Sequence, residues 1–140
     1  MGFAYLDHAA DLAVRAWGPT LGEAFAEGAR ALFAAMVELE SVRPATSRTF
    51  SVRGETPELA LVEWLAALVA EKDTSGLVFA RFNARVCVGS SETSVEATAW
   101  GERHDPARHD ASCEVKGISL LGLRVHRDAG SWTVEYVADV

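Results

Sequence analysis

Apolar and polar positions along this chain of 140 residues switch repeatedly between a twofold and a helical period. Phe3-Ala4-Tyr5-Leu6 is apolar, Asp7-His8-Ala9-Ala10-Asp11 is a polar break, and Leu12 to Trp17 alternate as a half-buried strand does. Thr20-Leu21-Gly22-Glu23 has the spacing of a capping box, so a helix is predicted to begin there. Its apolar face is Leu21, Phe25, Ala29, Leu32 and Met36, with Glu23, Glu27 and Arg30 largely elsewhere. Residues 46–53 alternate through Phe50 and Val52 as a strand, and Thr56-Pro57 reads as an N-cap followed by proline in the first helical position. The second helix is predicted to bury Leu59, Val62, Leu65 and Val69 and to end before Asp73-Thr74-Ser75-Gly76. Beyond it the period becomes twofold, with strands over residues 77–88, 93–100, 112–119, 121–126 and 132–137 and a hairpin turn at Gly89-Ser90-Ser91. Strands, helix, strand, helix and a run of strands predict one α+β domain over residues 1–140, with a largely antiparallel (mixed) sheet and two helices packed against it.

Composition narrows the class. With 49% hydrophobic and 24% charged residues, the chain can bury roughly two-thirds of its extended surface without a metal or disulfide. No apolar run approaches a membrane span, and the first residues lack a basic stretch followed by an apolar core, so a cytoplasmic protein is expected. The net charge of −7 argues against broad, direct binding of nucleic acid, which needs a basic face. Any link to RNA is expected to run through a protein partner. Cys87 and Cys113 fall in predicted strands without CxxC spacing and read as buried or spectator thiols.

Two polar places stand out as candidates for chemistry. A carboxylate at residues 7–11 can cap backbone amides, act as an acid or base, or bind a hard cation. The loop over residues 101–110 carries His104, His109 and the carboxylates Glu102, Asp105 and Asp110; it reads either as a solvated connector or as a metal or acid–base site. There is no GxxxxGK[ST], GxGxxG after a strand, GxSxG or HExxH, which disfavours a self-contained nucleotide hydrolase, serine hydrolase or zinc hydrolase. Asp139-Val140 ends the chain just after a strand, placing the terminal carboxylate one residue from an aspartate. Such a pair can chelate a cation if the fold brings a third oxygen group beside it.

The ordered set of segments resembles the archease family. It comprises Tyr5-Leu6-Asp7-His8-Ala9-Ala10-Asp11, Ala16-Trp17-Gly18, Thr20-Leu21-Gly22-Glu23-Ala24-Phe25, Glu63-Trp64-Leu65, Gly101-Glu102, His109, Val115-Lys116-Gly117-Ile118-Ser119 and Asp139-Val140. The resemblance implies a small α+β protein, not itself an enzyme, that assists an RtcB-type RNA ligase in tRNA splicing and RNA repair by promoting GTP-dependent guanylylation and repeated turnover. It further implies a divalent metal, with calcium the expected ion, held by Asp11, Asp139 and the terminal carboxylate of Val140; oxygen-only ligation suits such a hard cation. Lys116 matches a family lysine near the functional surface, and Asp7 and His8 are either supporting groups there or turn residues. Where many members have a histidine soon after the lysine, this chain has Leu121. Two rival readings remain: a metal-dependent hydrolase or phosphotransferase using residues 104–110, and a chaperone-like binding module for RNA-processing proteins.

Overall fold

A computed structural model describes residues 1–6, 11–109 and 113–140. The first apolar run is strand β1 (Gly2–Leu6), which pairs antiparallel with β2 (Leu12–Gly18) from Gly2↔Trp17 to Leu6↔Ala13. The other edge of β2 pairs along its length with β8 (Ser131–Asp139), from Leu12↔Ala138 to Gly18↔Trp132. The far edge of β8 is shared by β7 (Arg124–Asp128) and the short β6 (Gly117–Ile118). A second sheet has the order β3-β5-β4, built from β3 (Thr46–Gly54), β4 (Leu77–Val88) and β5 (Thr93–Arg103). All these pairings are antiparallel. The α+β class holds, and the strands sort into two sheets rather than one.

Helix α1 (Leu21–Met36) explains the division, because it lies between them, packed on β4 on one side and on β2 and β8 on the other. Its N-terminus is the expected capping box: Thr20 Oγ1 accepts from the Glu23 amide at 3.1 Å, and Glu23 Oε2 accepts from the Thr20 amide at 3.3 Å. A helix covered on both sides must be apolar beyond a single stripe. Accordingly Ala24, Ala31 and Phe33 are buried beside the five predicted positions. Glu27 is buried too, contrary to its expected place on the outer side, and its charge is met by Arg30 Nη1 at 3.0 Å. Gly22 is the closest approach to β4, where a Cβ would overlap the Ala84 carbonyl. Three aromatic donors fasten the helix to its surroundings: Trp64 Nε1 to Phe25 O (3.0 Å), Tyr136 Oη to Gly28 O (2.8 Å) and Tyr5 Oη to Ala31 O (2.9 Å).

Helix α2 (Pro57–Ser75) begins as predicted, with Thr56 Oγ1 accepting from the Leu59 amide at 3.1 Å. It continues to Ser75, because Gly76, at φ 75°, supplies the left-handed C-cap. The predicted stripe is half corrected. Leu65 and Val69 are buried, whereas Leu59 is 38% exposed and Val62 only half-buried. The buried face is Ala60, Leu61, Trp64, Leu65, Leu68 and Val69. The cause is Gly54, whose missing side chain lets the first turn press its Ala60 backbone onto β3. Trp64 meets Phe50 and Phe82 edge to face at 5.6 and 6.3 Å, and Phe33 and Phe79 complete this aromatic centre of one continuous core.

The strand predicted at 112–119 shrinks to β6, with Cys113 and Lys116 in irregular backbone and residues 110–112 outside the described residues. The next strand starts later than expected, at Arg124, because residues 119–122 form a turn in which Gly122 takes φ 78°. Cys113 is therefore not in a strand; its half-buried thiol donates to Ala35 O at 3.1 Å, and burial raises its pKa. Cys87 is in β4 as predicted but exposed, and both thiols are free. Among the described residues, no helix is long and apolar enough to cross a membrane.

Candidate functional site at the end of the five-stranded sheet

The register of β2 on β8 decides where the acidic residues meet. Leu12 lies opposite Ala138 as the last pair of the register, so Asp11 and Asp139 are the next residues outward at the same end of the two strands. On the other edge of β8, Gly117 pairs with Asp139, and the Lys116 amide donates to Asp139 O at 2.7 Å. Backbone pairing thus gathers Asp11, Asp139, Val140 and Lys116 at one end of the sheet. Asp139, Val140 and Lys116 are exposed and Asp11 is half-buried. Gly117 leaves the Asp139 carboxylate uncrowded, since even a Cβ there would stand 3.9 Å from Oδ2. Asp7 and His8, also expected at this surface, lie outside the described residues.

The donor set is all oxygen: two aspartate carboxylates and, at Val140, the chain's terminal carboxylate, which suits a hard divalent cation. Among the described residues, no three His, Cys, Asp or Glu side chains form a group able to hold a metal. Sequence reasoning missed the neighbours of this end. Ser119, Leu121, Gly122 and Val137 line a cavity of about 130 Å³ with Asp11. The available signal was the adjacent pair Leu120-Leu121, split by the expected strands at 112–119 and 121–126, the second of which took Leu121.

The second candidate, residues 104–110, is tied down rather than open. His109 is fully buried, and its ring stacks on His104 with centroids 5.6 Å apart. His109 Nδ1 accepts from the Asp105 amide at 2.8 Å, so its lone pair is used and the proton of the neutral ring sits on Nε2. Nε2 in turn donates to Glu102 Oε2 at 3.0 Å. Glu102 also receives Arg108 Nη2 at 2.6 Å and the Arg43 amide at 2.8 Å. The Arg108 hydrogen bond first, then the Arg43 amide and His109, hold the Glu102 carboxyl at about 2, against an ordinary 4.5. Both nitrogens of His109 are thus engaged, Nδ1 within the loop and Nε2 on Glu102 of β5, and Glu102 in turn holds the Arg43 amide of the segment after α1. His104 borders a separate cavity of about 300 Å³ with Lys72, Cys113 and Glu114, where burial raises the pKa of the thiol.

The resemblance residues now divide by location. Gly22, Glu23, Trp64, Gly101, Glu102 and His109 each have a structural duty: close backbone approach, a cap, an aromatic centre or the loop anchor. Asp11, Lys116, Asp139 and Val140 collect at one exposed edge. These features define a small α+β protein with two antiparallel sheets clasping a helix and an acidic strand end. The Archease protein family model matches residues 3–140, and the chain belongs to the archease family. It is 34% identical over 142 residues to Protein archease of Aeropyrum pernix, covering 99% of this chain and 97% of that one. With Protein archease of Thermococcus gammatolerans it shares 34% over 137 residues, covering 97% and 96%. The solution structure of Methanobacterium thermoautotrophicum protein 1598 superposes with a TM-score of 0.86 at 25% identity, covering 99% of each chain. A crystal structure from Thermotoga maritima, described as an archease and possible chaperone, has the same fold at a TM-score of 0.59 and 19% identity, covering 96% and 94%.

Proposed function

We propose that this protein is a non-catalytic, cytoplasmic accessory factor of an RtcB-type RNA ligase, promoting the ligase's GTP-dependent guanylylation and its repeated turnover in tRNA splicing and RNA repair. The observation that carries this reading is the register that brings Asp11 and Asp139 to the same end of the sheet as Lys116 and Val140, in a member of the archease family. Asp11, Asp139 and the Val140 carboxylate would hold a divalent cation, calcium being the expected ion. When bound, the cation would turn a self-repelling cluster into a centre that attracts phosphate or carboxylate oxygens. Lys116 adds a fixed positive charge at the same end, and β6 and β8 hold the spacing through the Lys116–Asp139 backbone bond.

The hydrolase reading loses its main support, since both nitrogens of His109 are committed to Asp105 and Glu102. A chaperone-like role toward other RNA-processing proteins has in its favour the description of the Thermotoga maritima relative as a possible chaperone. A multiple-turnover ligation assay with the cognate ligase and GTP separates these readings. Addition of this protein is expected to raise turnover, and Asp11→Ala or Asp139→Asn to lower both the activation and the affinity for calcium in calorimetric titration. Equal ligation rates with and without the protein would discard the proposal.

A further inference from the structure

The turn over residues 119–122 is an apolar projection beside the acidic end. Leu120 and Leu121 are 68% and 80% exposed, a pairing unlike the single exposed apolar residues scattered over most surfaces. The turn is also held in shape. The Ser119 amide donates to Val137 O at 2.8 Å, and the Leu121 amide donates to Ser119 Oγ at 3.0 Å. Gly122, at φ 78°, sits so near β8 that a Cβ would come within 3.1 Å of Val137 Cγ2. Two leucines on a fixed turn lose little freedom when a partner covers them, which favours affinity. Leu121 shares the small cavity with Asp11, and Val140, itself 41% exposed, ends the chain at the same edge of the sheet.

We propose that Leu120 and Leu121 are the anchor by which the acidic end docks into the RNA ligase, filling an apolar cleft at the edge of a cationic groove. This rests on the function proposed above. Charge selects that occupant: the chain's net charge of −7 stays negative even with a divalent cation held at this end, and an enzyme that holds RNA must carry a basic groove. The net negative charge of the chain steers the encounter; the leucines supply the buried contact.

The test titrates the ligase with wild-type protein, with Leu120→Ser/Leu121→Ser, and with Asp11→Ala. It follows binding by fluorescence anisotropy and activation by multiple-turnover ligation. The double variant is expected to bind at least tenfold more weakly and to need correspondingly more protein for half-maximal activation, with activation recovered at saturation. Asp11→Ala is expected instead to lower the activation reached at saturation. Thermal melts check folding, and exposed serines should leave the melting temperature unchanged. Unaltered ligase affinity of the folded double variant overturns the anchor, as does sedimentation showing that the leucines join two copies of this chain while ligase binding persists. If wild-type protein neither binds nor activates the ligase, the proposed function itself fails.

Discussion

The Tyr136 hydroxyl donates a 2.8 Å hydrogen bond to the Gly28 carbonyl, pinning strand β8 to helix α1 three residues before Asp139. Tyr136 is buried, and its pKa lies well above the ordinary 10.0, first because burial disfavours the phenolate and then because of Tyr5. Tyr136→Phe removes one net hydrogen bond and is expected to cost about 1 kcal/mol in urea unfolding. The raised pKa adds a pH signature. The folded state holds this proton more tightly than the unfolded chain, so its contribution is complete below pH 10.0 and is lost as pH rises from there toward the folded value. Urea midpoints of the wild type should fall in that alkaline range, and those of the variant should fall less.

Glu102 gives the opposite limb. Its carboxyl is held at about 2 instead of 4.5, so its contribution is present above 4.5 and is lost as pH falls from there toward 2. Glu102→Gln should lower the melting temperature near neutral pH and flatten the acid limb. Unfolding curves collected at several acid pH values would show an unchanged slope if Glu102 were a mere solvated charge.

Gly22→Ala places a methyl group against the Ala84 carbonyl of β4, with backbone on both sides and no flexible side chain to yield. The gain in helix propensity, about 1 kcal/mol, is smaller than the cost of parting helix from strand. Net destabilisation of about 2 kcal/mol or more is expected in chemical denaturation. A stabilised variant would mean that α1 does not approach β4 this closely.

Ala129 and Gly130 form a two-residue hairpin loop between β7 and β8, both with positive φ, 49° and 83°. Such a loop favours asparagine or glycine at its first position, and alanine there is strained. Ala129→Asn is expected to raise stability by about 1 kcal/mol without altering activity. Differential scanning calorimetry reads it directly.

Some of this was written locally in the chain. The capping box at Thr20, the Thr56-Pro57 start and the limits of β4 each depend on a few neighbouring residues, so periodicity and cap chemistry sufficed. The Leu59 and Val62 assignment failed because which side of α2 is buried depends on β3, where Gly54 admits the Ala60 backbone. The strand expected at 112–119 failed for a related reason. Cys113 spends its thiol on α1, leaving only Gly117 and Ile118 to pair with β8.

The candidate site shows the same boundary. Sequence alone offered Asp11, Lys116, Asp139 and Val140 as separate residues joined by a family resemblance, and offered residues 104–110 as a rival. Their order and chemical type were fixed by the sequence: carboxylates at a polar break and at a chain end, alternating strands, two capped helices, a net charge of −7. Only the tertiary structure brought Asp11 and Asp139 to one end of the sheet, closed both nitrogens of His109, and left Leu120 and Leu121 standing in solvent. The reason is physical: periods and caps are set within a few residues, whereas a strand register between positions more than a hundred residues apart is set by what the whole core can bury together.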